Sequence, residues 1–477
     1  MNHTSRSGRR SFLKQLGAVG VAVPMLVDRL WSAPPSNRIR HATFGAAGMA
    51  GGDVRSISAV ENVQVVCAAE VDLGRLEKFH QLFPAGQVKV YQDWRELLDK
   101  EHKNLDTVNV STPDHMHAPI AMSAMQLGLH VYVQKPLAHD IYEVRRLTEF
   151  AREKRLVTQM GIQIHSAAPY RNGVELIRSG AIGKIQQTHS WSSKKWGDSG
   201  PLPETSDPLP ATLNWDLWLG VCASRPYVDK YYHPGVWRKR VDFGTGTFGD
   251  MGCHIFDPVF EAVGLTAPIS VRSEGPAPSA WNWATDAVIR YVFPGTPYTQ
   301  AETIPVHWYD GDQRPPQEIL ARLGEHKLPN QGSIFIGTRG VMVLPHVGAP
   351  FLLPDAQFKD YKLPTDPGSS HYAQFVETVR GNAKTSASFD YSGPLTEAVL
   401  LGSVATRFPQ MTLQWDSAGL KFSNSPEATR YVRRDYREGW EVKGLSDTPA
   451  SAGPGRPARR SRRKGHVHPL ARLRARH

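Results

Sequence analysis

The chain has 477 residues, of which 40% are hydrophobic and 21% charged, with a formal net charge of +11. That length exceeds one compact core and implies about two to three domains. The positive charge is not the footprint of a nucleic-acid binder, because it sits at the ends: residues 448–477 hold nine Lys/Arg and no acid, residues 1–37 hold five against one acid, and the body between them is near neutral.

Residues 1–37 read as a targeting segment. Gly8-Arg9-Arg10-Ser11-Phe12-Leu13-Lys14 resembles a twin-arginine export signal, and the apolar run from Leu16 to Val27 is too short for a stable bilayer span. This implies passage through the twin-arginine translocase and a periplasmic or extracytoplasmic location. Three cysteines, Cys67, Cys222 and Cys253, form neither a disulfide framework nor a CxxC zinc motif, so folding should not need oxidation.

From residue 38 to 162, strands and helices alternate. Strands are expected at Ile39–Phe44, Val63–Ala69, Val88–Tyr91, Thr107–Ser111, His130–Gln134 and Val157–Ile162, with helices at Leu73–Leu82, Trp94–Lys100, Ala118–Leu127 and Ile141–Lys154. Such alternation implies a parallel, doubly wound α/β sheet. Residues 163–445 read as an α+β second domain on a large, mostly antiparallel open sheet, with strands at Ile185–Ser192, Ile269–Ser273, Ala287–Phe293, Ile304–Tyr309, Ser333–Gly337, Val341–Leu344 and Met411–Trp415. Helices are expected at Pro169–Ser179, from near Asp250, at His371–Gly381 and at Pro394–Thr406. Residues 446–477 form an Ala/Pro/Arg tail without apolar period, expected to be disordered.

Four stretches carry candidate chemistry. Gly45-Ala46-Ala47-Gly48-Met49-Ala50-Gly51 follows the first strand and opens a helix, the context in which a glycine loop sets a pyrophosphate on a helix N-terminus. The fingerprint is weakened, with Ala47 at the second glycine position unless Gly48 provides the close approach. Glu70, at the end of the second strand, can accept from ribose hydroxyls and favours NAD over NADP, while Arg75 leaves NADP open. Ser111-Thr112-Pro113-Asp114-His115-Met116-His117 follows the fourth strand and could line a cofactor; His115 and His117 also form a weak metal-like pair.

Gln134-Lys135-Pro136 ends the fifth strand, where open α/β sheets bind ligands, and Lys135 is the candidate reaction centre. In Gly249-Asp250-Met251-Gly252-Cys253-His254, Asp250 and His254 are spaced to share a helix face, pairing a carboxylate with an imidazole able to take a hydroxyl proton. Aromatic and polar side chains for a carbohydrate or polyol are offered by His165, Tyr170, Arg171, Lys195, Trp196, Tyr232, His233, Trp237 and Arg238, whereas Trp215 and Trp218 read as core.

The order glycine loop, Glu70, Thr112-Pro113-Asp114-x-x-His117, Lys135-Pro136 and Asp250-x-Gly252-x-His254 resembles the glucose-fructose oxidoreductase and inositol 2-dehydrogenase (Gfo/Idh/MocA) family over about residues 38–440. The resemblance implies an N-terminal Rossmann domain and a C-terminal sheet that commonly builds dimers or tetramers. It further implies a nicotinamide cofactor held by Gly45, Ala47, Gly48, Met49, Glu70, Ser111, Thr112, Pro113, His117, Gln134 and Lys135, with Lys135 also touching substrate, Asp250 holding a substrate hydroxyl and His254 as acid/base. No metal is implied. The chain departs from the usual Glu-Lys-Pro in having Gln134, which removes a negative charge beside the lysine.

Overall fold

The computed structural model describes residues 38–446; residues 1–37, expected to be a targeting segment, and the basic tail after Ser446 lie outside the described residues. Six strands, β1 (Ile39–Phe44), β2 (Val63–Ala69), β3 (Lys89–Tyr91), β4 (Thr107–Val110), β5 (His130–Gln134) and β6 (Thr158–Gly161), form one sheet in the order β3-β2-β1-β4-β5-β6. Every pairing in it is parallel. The near-continuous burial of β1, β4, β5 and β6 explains why they read as short apolar runs: helices cover both faces. The order reverses between β1 and β4, and a crevice opens at that point, beyond the carboxyl ends of the strands.

The second sheet has nine strands: β7 (Ile185–Ser192), β8 (Ser270–Ser273), β9 (Val288–Pro294), β10 (Thr303–Asp310), β11 (Gly332–Gly337), β12 (Val341–Pro345), β13 (Phe351–Leu353), β14 (Thr412–Asp416) and β15 (Lys421–Phe422). Their order is β13-β12-β11-β7-β10-β9-β8-β14-β15, and the pairings are antiparallel except for β7 with β10. One apolar core joins the two sheets, holding Phe44 and Val133 from the first together with Phe248 and Val399 from the second lobe.

Two elements differ from expectation for local reasons. The helix expected over Leu73–Leu82 is split into a 3-10 turn at Leu73–Arg75, capped by Asp72, and an α-helix at Glu77–Leu82. The helix expected from Pro394 begins at Phe389, and Pro394 lies inside it. A proline usually marks a first turn, but here close packing takes precedence: a side chain at Gly393 would place its Cβ 2.2 Å from Thr148 Oγ1 on the helix Ile141–Lys154.

The same pair of helices is joined electrostatically. Arg145 Nη2 lies 2.8 Å from Glu397 Oε2, a carboxylate with 7% side-chain exposure that also accepts from Trp415 Nε1 at 3.1 Å. Removing one partner of such a pair leaves the other charge uncompensated. Glu397→Ala should lower the unfolding free energy by about 3 kcal/mol, read as a lower urea midpoint by tryptophan fluorescence, and the double variant Arg145→Met/Glu397→Leu should lose less than Glu397→Ala alone.

Candidate active site

The crevice is bordered by the ends of β1, β2, β4 and β5. Gly45, Ala47, Gly48, Met49, Glu70, Ser111, Thr112, Pro113, Gln134 and Lys135 all line it, as do Trp237 and Arg238 from the second lobe. Gly45 has φ +93°, and a Cβ there would sit 2.9 Å from the Ser111 carbonyl oxygen, so the turn admits only glycine. Gly48, with φ +59°, stands at the N-cap of the helix Met49–Ser58, and a Cβ there would meet nothing within 4 Å. No side chain caps that helix and no acid occupies its first turn, so its free amides and positive dipole end face the crevice. Thr112 Oγ1, sealed from solvent on the same wall, has no hydrogen-bond partner. An uncapped helix start, an open glycine cradle and an orphaned hydroxyl fit a dinucleotide.

Glu70 is buried, and its carboxylate spans two segments, accepting from the Ala46 amide at 3.0 Å and the Asp72 amide at 3.1 Å. Burial raises its pKa against the pull of those two amides. His117 does not line the crevice. Its Nδ1 lies 2.7 Å from the Pro136 carbonyl oxygen and its Nε2 2.9 Å from that of Thr112, so it braces the two loops that do. His115 is turned elsewhere, against the Trp218 carbonyl oxygen at 3.0 Å, and among the described residues no three His, Cys, Asp or Glu side chains gather as metal ligands.

Lys135 reaches across the interface between the lobes. Its Nζ donates to Asp250 Oδ1 at 2.6 Å and to the Asp250 backbone oxygen at 2.9 Å. Arg238 Nε donates to the same Oδ1 at 3.2 Å, while its guanidinium lies over the rings of Trp237 and Trp196, 4.3 Å and 5.6 Å from their centroids. Burial would raise the Asp250 carboxyl, but the charges of Lys135 and Arg238 outweigh it and hold the group well below the usual carboxylate range. Asp250 stands on the helix Gly246–Ile255, which begins a turn earlier than expected because Gly249 and Gly252 pack tightly; a Cβ at Gly249 would lie 2.0 Å from Thr245 Oγ1.

His254, one turn further along that helix, borders a narrow cavity with Tyr170, Ser333 and His346 and not the open crevice. Its Nδ1 is buried without a partner, and the His346 ring is 5.7 Å away. Burial, then the charge of Lys135 and then His346, holds its imidazole well below its ordinary pKa.

The other expected substrate contacts divide. Tyr170 donates to Glu261 at 2.9 Å from its place beside His254. His165 is internal, paired with Asp257 at 2.9 Å, and Lys195 is exposed and paired with Asp312, so the structure brings neither to the crevice. The loop after β7 carries the Lys195 side chain outward. Trp218 belongs to the aromatic core and also forms part of the crevice wall.

Asp114 is a site residue that the sequence offered within the Thr112–His117 motif but without a role of its own. It lines the crevice, accepts from Thr245 Oγ1 at 2.8 Å, and is pushed up to about 7 by burial, against the pull of Arg238. Its only sequence signal is its place between Pro113 and His117.

Gln134 also takes a role that its neighbour on the chain does not suggest. Its amide turns away from the Lys135 ammonium to the fully buried Asp53, donating at 2.9 and 3.1 Å to the two carboxylate oxygens. Ser111 Oγ and Tyr372 OH donate to Asp53 at 2.7 and 2.8 Å. Burial raises the Asp53 pKa, and these neutral donors oppose it.

A parallel nucleotide sheet with a strand-end lysine locked to an aspartate of a second lobe defines a nucleotide-dependent oxidoreductase architecture. Sequence comparison specifies it: the Oxidoreductase family profile for an NAD-binding Rossmann fold matches residues 39–162, and its companion for a C-terminal alpha/beta domain matches residues 181–295. Together they cover about half of the chain, which belongs to the Gfo/Idh/MocA oxidoreductase family. Levoglucosan dehydrogenase of Pseudarthrobacter phenanthrenivorans is 24% identical over 172 residues, 36% of either chain. A glycosyl hydrolase family 109 protein of Shewanella pealeana is 24% identical over 202 residues, 37% of this chain and 44% of that one. The chain thus matches less than half the length of these relatives. The WlbA dehydrogenase of Bordetella pertussis, solved in complex with NADH and UDP-GlcNAcA, shares the fold, with a TM-score of 0.56 at 14% identity over 80% of this chain and 99% of that one.

Because Gln134 faces Asp53, Gln134→Glu would set two buried carboxylates against each other. A carboxyl whose folded pKa is raised contributes stability below its unfolded pKa and loses it as pH rises. The variant should therefore melt lower than the parent by a margin that widens from pH 5 to pH 8, measured by differential scanning fluorimetry.

Proposed function

We propose that this protein oxidises a hydroxyl of a sugar, polyol or glycoside, and that it retains its NAD between turnovers. The observation that carries the reading is the convergence of Lys135 and Arg238, both lining the crevice, on Asp250, with His254 on the same helix as Asp250. NAD, when bound, supplies the hydride acceptor. Asp250, ionised throughout the neutral range, accepts a hydrogen bond from a substrate hydroxyl. Lys135 stabilises negative charge developing on the reacting oxygen. His254 is neutral near pH 7, and it would take the proton of a hydroxyl that reaches past Asp250 to the narrow cavity His254 borders. Trp196 and Trp237, held by Arg238, offer faces for a sugar ring.

NAD is favoured over NADP because Glu70 places a buried carboxylate in the crevice. Export by the twin-arginine route, proposed from Arg9-Arg10 and its flanking residues, would remove the enzyme from the cytoplasmic nucleotide pool, and a retained cofactor then calls for redox-neutral turnover. The two relatives, a dehydrogenase and a glycosyl hydrolase, support either a net oxidation or a transient one that permits glycoside cleavage.

Mass spectrometry of small molecules released from the denatured, freshly purified protein should find NAD in near-stoichiometric amount; protein that is free of nucleotide and turns over only with added NAD would refute retention. Lys135→Met should reduce kcat/KM by about 100-fold or more in assays of sugar and polyol oxidation. In the pH profile of kcat/KM, an inflection near 7 should come from Asp114, neutral below that pH and ionised above it, and should vanish in Asp114→Asn. The acid limb from protonation of His254 should lie well below pH 6.5.

A further inference from the structure

A second cavity, of ≈ 540 Å³, shares no lining residue with the crevice. Its wall carries Arg407, Arg430, Arg433 and Arg434 against three acids, of which Asp435 is exposed and Asp140 and Asp242 are already engaged. Asp140 accepts from the Glu143 amide at 2.8 Å and from the Arg434 amide at 3.1 Å, and Asp242 is ion-paired with Arg225. Arg407 stands in no ion pair among the described residues. Its guanidinium carbon lies 5.0 Å from the centroid of Trp283 and 4.5 Å from that of Tyr431, and burial lowers its pKa.

Two donors on this wall lack partners. Arg434 donates through Nη2 to Cys222 Sγ at 2.9 Å, but its Nη1 is sealed from solvent and bonded to nothing. Ser403, 5% exposed, likewise has a buried Oγ without a partner. Buried donors left unpaired are costly and uncommon. Two of them bordering one cavity, beside an arginine that stands in no ion pair among the described residues, share a common remedy, an oxyanion, whose planar or tetrahedral oxygens suit a guanidinium fork.

We infer that this cavity binds a small organic or inorganic anion through a carboxylate or phosphate group received by Arg407, Arg434 Nη1 and Ser403 Oγ. Trp283 and Tyr431 hold the Arg407 guanidinium in place, and Leu400 and Val404 give an apolar surface to any carbon attached to the anion.

The test is calorimetric titration of the full-length protein, in chloride buffer, with orthophosphate and separately with malonate. Saturable binding of at least one probe is expected, and the stronger of the two names the source of the anion. Arg407→Gln should weaken that binding about tenfold or more, and Ser403→Ala should weaken it measurably, while NADH binding read by tryptophan quenching stays as in the parent. No saturable binding of either probe, or parental affinity in Arg407→Gln, would overturn the site. If Arg407→Gln does not fold by circular dichroism, parental affinity in Ser403→Ala overturns it and weakened affinity supports it.

Discussion

The ion pair between Lys135 and Asp250 is the contact on which the arrangement of the two lobes around the crevice depends. One ammonium satisfies both the carboxylate and the backbone oxygen of Asp250, so the end of β5 is fixed in position and orientation against the helix Gly246–Ile255. A single bond could swivel; two bonds to one residue cannot. Arg238 adds a second positive charge to the same carboxylate oxygen. An acid otherwise disfavoured by burial is therefore kept ionised, and a partly buried pair of this kind is strongly destabilising to break from one side.

A second buried carboxylate lies on the other side of Gln134 and is treated differently. Asp53 has no cation beside it and is solvated by Ser111, Gln134 and Tyr372. Neutral donors suit a group at the back of an anion-binding helix, since they satisfy the carboxylate without adding a charge that would compete with a ligand at the helix start. Residue 134 thus borders the crevice while its amide serves Asp53, and the ammonium that crosses to the second lobe comes from its neighbour just beyond the strand end.

Much of the architecture was legible from periodicity. The boundaries of β1, β2, β5 and β7 match the apolar runs that suggested them, and the glycine loop, Glu70 and Lys135 were placed at strand ends by alternation alone. Local pattern fails where long-range packing decides. Pro394 lies inside a helix because Gly393 must approach Thr148, and Lys195 and His165 were grouped with the site by chemistry, although their partners, Asp312 and Asp257, are remote in sequence. Asp114 and His346 carried no periodic signal: the partner of Asp114, Thr245, comes from the other lobe, and His346 meets His254 only through the folding of the second lobe.

Tyr372 illustrates what that meeting entails. It belongs to the helix His371–Val379, stacks on Tyr132 of β5 with centroids 5.6 Å apart, and donates to Asp53 on the helix whose amino end faces the crevice. The nucleotide lobe therefore does not own its anion-binding helix outright: part of that helix's rigidity is supplied by a segment more than 300 residues downstream. Rossmann lobe and sheet lobe are mechanically one body at this point. Heat, denaturant or a ligand acting on either is transmitted to the other, and the crevice gains its shape only when the whole described chain is in place.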